Sequence, residues 1–201
     1  MRMTRALLVV ATTALAPVLL LSAPAAAATG PIGSLAVCGV ATPGAGGTST
    51  PVDEMSDLDV RVEIFNILGD PGTGKAVDEA AQAALNGTIE DQRNFLKTGW
   101  KAAQEADNHA AVFCILGIAK SNGDRAVVEA ANKALQAGTA DAVRAFLETG
   151  YRLAQLDDDR FAIFCLLGDP TTSTELREAA NRALSDGTPE ALRSFREQAN
   201  F

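Results

Sequence analysis

Apolar residues return at spacings of three and four along most of the chain, and the polar breaks between them return about every fifty residues. Ile64-Phe65-Asn66-Ile67-Leu68-Gly69 reappears as Val112-Phe113-Cys114-Ile115-Leu116-Gly117 and as Ile163-Phe164-Cys165-Leu166-Leu167-Gly168. An alanine block follows each copy, starting at Glu79-Ala80-Ala81, Glu129-Ala130-Ala131 and Glu178-Ala179-Ala180, then a Gly-Thr, then Arg-x-Phe at Arg93, Arg144 and Arg193. The Ala80 position recurs after 50 and 49 residues and the Phe95 position after 51 and 49. Self-similarity at such a period marks a repeat array in which each unit buries its apolar face on its neighbour.

Spacings of three and four predict helices, three per copy. The first spans about 58–68 and is expected to end at Gly69, Gly117 or Gly168, where glycine can adopt the left-handed conformation that stops a helix. The second, about 75–85, puts Val77, Ala80, Ala81, Ala84 and Leu85 on one stripe and stops at Gly87, Gly138 or Gly187. Thr88, Thr139 or Thr188 then caps the third helix. An acid two places on (Glu90, Asp141, Glu190) suits the positive helix end, and Pro189 fits a first turn that needs no N–H. On the third helix Phe95, Leu96, Gly99, Trp100 and Ala103 share a face, as do Phe146, Leu147, Gly150, Tyr151 and Ala154, so Trp100 and Tyr151 are expected in the core rather than in a ligand ladder. A mid-helix glycine costs about 0.8–1 kcal/mol, which predicts close backbone packing at Gly99 and Gly150. The last copy has Arg196 and Ala199 instead of Leu and Gly, read as the polar outer face of a terminal unit. The expected fold is all-α: a short solenoid or bundle of three units, about 57–106, 107–157 and 158–201, sharing a continuous apolar interior.

Residues 1–28 read as a signal peptide: Arg2 and Arg5, an apolar run over 6–21, then Ala23-Pro24-Ala25-Ala26-Ala27-Ala28. The run is short for a membrane span, so a secreted product without integral membrane association is expected. Leu35-Ala36-Val37-Cys38 matches a lipidation box only loosely, because valine precedes the cysteine where a small residue belongs. Residues 29–56, rich in Gly, Pro, Ser and Thr, read as a flexible tether. Removing Arg2 and Arg5 with the leader leaves 15 basic against 25 acidic residues, a net charge of −10 that argues against nucleic-acid binding. Cys114 and Cys165 occupy equivalent places in successive units, too far apart to bridge, and are expected to be buried free thiols. Cys38 is then an odd thiol in the tether, able to pair between molecules.

Candidate chemistry is thin. Gly69-Asp70-Pro71-Gly72-Thr73-Gly74-Lys75-Ala76 copies the spacing of a phosphate-cradling loop, but Ala76 stands where Ser or Thr would hold magnesium and no strand precedes it. Asp157-Asp158-Asp159 lacks the oxygen-rich spacing of a calcium loop and reads as an acidic helix start. His109 is the only histidine and aligns with Arg61 and Arg160, which predicts a solvent-facing position. Asn86-Gly87-Thr88 reads as an interhelical turn before a glycosylation acceptor. Glu79, Glu129 and Glu178 recur with Arg93, Arg144 and Arg193, which predicts an ion pair between the second and third helices, with a binding row as the alternative. No catalytic constellation, metal site or cofactor site is expected.

The pattern Glu-Ala-Ala-x-x-Ala-Leu, Gly-Thr, Arg-x-Phe, present three times over most of 57–201, resembles the ALF repeats, secreted Ala/Leu/Phe repeats of actinobacterial exported proteins. That resemblance implies secretion and an all-helical array, with no established activity or catalytic residues to carry over. The expected function is a non-enzymatic module that binds a protein or cell-envelope partner. The alternatives are an extracellular hydrolase using paired carboxylates and an interaction or immunity-like partner of an exported toxin.

Overall fold

Every copy folds into helices, as its spacing predicts, in a computed structural model that describes residues 37–40 and 50–199. The leader read over 1–28, and residues 29–36 and 41–49 of the segment read as a tether, lie outside that range. The helices are α1 (Asp57–Gly69), α2 (Lys75–Asn86), α3 (Ile89–Asn94), α4 (Trp100–Asn122), α5 (Arg125–Ala137), α6 (Ala140–Ala145), α7 (Tyr151–Gly168), α8 (Thr174–Asp186) and α9 (Pro189–Ala199). No strand occurs among the described residues, and none of their helices is long and apolar enough to cross a membrane.

The threonine caps form as expected. Thr88 accepts from Asp91 N–H, with the Asp91 carboxylate returning the bond, while Thr139 and Thr188 accept from the N–H groups of Ala142 and Ala191. Gly138 and Gly187 stop their helices with positive φ, 64° and 69°. Gly69 and Gly168 are not left-handed; there the chain breaks at Asp70-Pro71 and Asp169-Pro170, because a residue before proline is pushed out of the helical region. The middle copy has Ile118-Ala119-Lys120 at that place and no proline. Gly117 therefore lies inside α4, which runs on to Gly123 with φ 77°.

A second departure joins the units. The third helix of one copy and the first of the next are one rod: α3 continues into α4 through a π turn at Phe95–Gly99, and α6 into α7 through Phe146–Gly150. Both turns read Phe-Leu-x-Thr-Gly, and their threonines bond back to the carbonyls of Asn94 and Ala145 at 3.2 and 3.0 Å. A side chain competing for a backbone carbonyl loosens the regular ladder. The third copy reads Phe195-Arg196-Glu197-Gln198-Ala199 and stays a regular helix. The expected close backbone approach at Gly99 and Gly150 is absent. A Cβ there would meet the ring of Phe95 or Phe146, four residues earlier on the same rod, at 3.4 Å.

Packing follows the rods. α4 lies on α2 and α5, and α7 on α5, α8 and α9. Ile64, Val112 and Ile163, at equivalent positions, are wholly buried, each contributing about 1.5–3 kcal/mol by leaving water. Among the described residues the interior divides into three apolar clusters rather than the continuous one expected, containing Ile64, Val112 and Ile163 in turn. All but one of the buried polar residues described occupy the junctions, Asp107 at the first, and Asp124, Gln155, Asp158 and Asp159 at the second; Gln92 lies within the first unit and accepts from Arg61 at 3.3 Å.

The described parts of the segment read as a tether, 37–40 and 50–56, are held in place. Val52–Glu54 forms a single 3-10 turn whose Val52 packs on the first cluster, and Met55 is buried there. Arg93 clamps it by donating to the carbonyls of Val52 and Met55 and pairing with Asp57 at 2.8 Å. Cys38 forms a disulfide with Cys114 on α4, with Cα atoms 5.5 Å apart. This overturns the expected free Cys114 and unpaired Cys38. The two are 76 residues apart, and nothing local in the sequence couples them.

Candidate binding surface

The most strictly repeated apolar side chain outside the core is a phenylalanine. Phe65, Phe113 and Phe164, one per unit at the same helical position, are each 60% exposed. The neighbours one place earlier, Ile64, Val112 and Ile163, account for the apolar run by burial; the phenylalanines cannot. Isolated exposed apolar residues need no explanation, whereas one repeated in register on successive units does. Phe161, Leu153, Val62 and Leu58 add further exposed apolar area on the same rods and on α1.

An open groove of about 480 Å³ runs beside α7. Phe161, Ala162, Cys165 and Leu166 form one wall, and Asn122, Gly123 and Asp124 stand opposite at the end of α4. Cys165 is free and exposed, not buried as expected.

The phosphate-like loop is already occupied from within. Its amides at Ala76 and Val77 donate to the Asp107 carboxylate at 2.8 and 3.0 Å, and a Cβ at Gly74 would sit 2.3 Å from Asp107 Cγ. A carboxylate caps the N-terminus of α2 where a phosphate would lie, meeting the positive end of the helix. One unit later Asp158 does the same for α5, accepting from Ala126 and Val127 at 2.8 and 2.9 Å. Asp157–Asp159 is therefore not an acidic helix start; it lies in the middle of α7, and Asp158 caps a different helix.

Beside Asp158, Asp159 and Asp124 hold two arginines. Arg193 and Arg196 reach Asp159 at 3.1 and 2.9 Å, and Arg196 reaches Asp124 at 2.7 Å. Burial works to lower the Arg196 pKa, but its bonds to Asp159 and Asp124 outweigh that and hold it above the ordinary value. Arg196 thus points inward into the junction, not outward as a polar end. The expected pairs of Glu79, Glu129 and Glu178 with Arg93, Arg144 and Arg193 do not form: Glu79 pairs with Lys75, Glu178 with Arg182, Arg144 with Asp141, Arg93 with Asp57, and Arg193 with Asp159 and with Glu197 on its own helix. His109 is half-buried, its Nδ1 2.8 Å from the Glu105 carbonyl. Tyr151 is buried edge-on to Phe146 and bonded by Gln155, and Trp100 packs half-buried on the first cluster, so neither is a ligand ladder. Among the described residues no group of three or more His, Cys, Asp or Glu side chains is placed to hold a metal ion.

A family model, ALF, described as short repeats of unknown function, matches residues 61–103, 115–154 and 160–198. No curated protein and no solved structure matches the chain.

Proposed function

We propose, for a chain that belongs to the ALF repeat family of short repeats of unknown function, a secreted, non-enzymatic recognition module. It holds a protein or cell-envelope component on the phenylalanines that its units present in register. The observation that carries this reading is the 60% exposure of Phe65, Phe113 and Phe164 at one repeated position. Repeat arrays offer such serial surfaces, and aromatic side chains supply large contact area at low entropic cost. The Cys38–Cys114 bridge supports export, because disulfides persist outside the reducing cytosol. The buried carboxylates that a hydrolase would draw on are engaged in capping helices and holding arginines.

The test uses the mature chain and a variant carrying Phe65→Ser, Phe113→Ser and Phe164→Ser, each immobilised and exposed to culture supernatant and envelope extract. The variant is expected to keep its thermal midpoint, as exposed substitutions shift stability by only about ±0.5 kcal/mol each. One component should bind the parent chain and be lost from the variant. Equal retention by both, or turnover of a polysaccharide or peptide by the parent, would overturn the reading.

A further inference from the structure

The groove beside Cys165 is the repeat counterpart of a place that is already filled. On α4, Cys114 carries the bonded segment 37–40, and Cys38 and Val40 pack on the middle cluster, to which Ala111 and Ile115 belong. Moving one unit along, Ala111 becomes Ala162, Cys114 becomes Cys165 and Ile115 becomes Leu166, and these three line the open groove on α7. The same stripe of a rod thus bears a cysteine-linked peptide in one unit and an exposed thiol in the next. Phe161 replaces Ala110 and adds an aromatic side chain to the α7 wall of the open seat, while Asp124, Asp158, Asp169 and Arg196 line its polar remainder. The segment suits it: Val37-Cys38-Gly39-Val40 carries no charge, and Gly39, with φ 62°, makes the turn after which Val40 packs beside Cys38, while Val37 stays exposed.

We propose that the groove at Cys165 is a second seat for the Cys38 segment, supplied by another copy of the chain, and that the two copies join there by thiol–disulfide exchange. The Cys165 thiolate of one copy attacks Sγ of Cys38 in the other. A Cys165–Cys38 bond forms as the Cys38–Cys114 bond breaks, and the electron pair leaves on Cys114 Sγ, which takes up the proton Cys165 gave away. One disulfide is consumed and one is made, so no oxidant or reductant is needed. Seating the segment also removes Phe161 from water, which offsets part of the cost of leaving the seat at Cys114. Because Cys38 and Cys165 lie on different parts of the surface, the contact is head-to-tail, and its repetition gives longer assemblies.

The test mixes equal amounts of the oxidised mature chain in unlabelled and ¹⁵N-labelled form in mildly alkaline buffer, quenches with acid, and maps disulfide peptides by mass spectrometry beside a non-reducing gel. The expected result is a reducible dimer band that grows with concentration and a Cys38–Cys165 peptide pair of mixed isotope. Both should vanish in Cys165→Ser, an exposed substitution that leaves the helical spectrum unchanged, and fall several-fold in Phe161→Ser. Monomer alone, Cys165–Cys165 links, a Cys38–Cys165 bond of single isotope only, or a mixed bond unaffected by Phe161→Ser would each overturn the proposal.

Discussion

Asp107 and Asp158 show how one carboxylate can hold a junction. Each leaves its own rod to close the first turn of the preceding unit's alanine helix, satisfying two N–H groups that have no partner within that helix. Two glycines separate this role from mere flexibility. Gly74→Ala places a Cβ where the Asp107 carboxylate sits, and it is expected to destabilise the chain by about 1–3 kcal/mol in urea unfolding, the cost of leaving buried donors unpaired. Gly150→Ala meets the Phe146 side chain at 3.4 Å and the Ala145 carbonyl at 3.6 Å, both at ordinary contact distance, and copies the Ala199 of the last unit; it should be neutral or stabilising by up to about 1 kcal/mol. Acid acts on the surface caps. Hydrogen bonds from Thr88 and Thr188, side chain first and then backbone, hold the Asp91 and Asp186 carboxyls below their ordinary 3.8. A pKa depressed by folding adds stability that is complete above the unfolded value and is lost as pH falls through the folded one. The thermal midpoint should therefore decline below about pH 4, and Thr88→Val with Thr188→Val should flatten that decline.

At the scale of elements, the sequence speaks clearly wherever the decision is local. The threonine caps and the stops at Gly138 and Gly187 need only residues a few places apart, and each lies where the spacing puts it. The rods did not show, because a glycine within an apolar run looks like a stop until the residues after it are weighed. Asp-Pro breaks the helix in the first and third copies, and Ile118-Ala119-Lys120 carries it on in the middle one. The partners of Arg93 and Arg193 are not legible for another reason: recurrence fixes which residues share a role, not which face each other. The exposed phenylalanines were hidden for a related reason: they sit beside the most buried residues of the same run. The Cys38–Cys114 bridge left no local trace, yet it fastens an element with little area of its own. Cys38→Ser is expected to cost about 2–4 kcal/mol, seen as a lower urea midpoint that matches the parent under reducing conditions.

Across the whole molecule, the three apolar clusters are held in series by the two rods and by the charged junction near the carboxyl end. Arg196 bridges Asp159 and Asp124, the latter 72 residues away, and so ties the last helix to the start of α5. Arg196→Ala should cost about 3 kcal/mol, the low end for a broken buried pair because Arg193 remains on Asp159. The loss falls on the third unit. Trp100, the single tryptophan, reports on the first. In the parent chain tryptophan fluorescence and far-ultraviolet circular dichroism are expected to change together in urea, and in Arg196→Ala the dichroism should begin to fall first; coincident curves in the variant would rule out this division of labour.

The uninterrupted rods also govern how such a chain can grow. A duplication that copies one period and rejoins it anywhere within α4 or α7 splices helix to helix, so the longer product inherits its joints ready-made and requires no new loop. The middle period taken by itself has the opposite fate: each cut severs a rod, and the isolated unit loses its neighbours on both flanks.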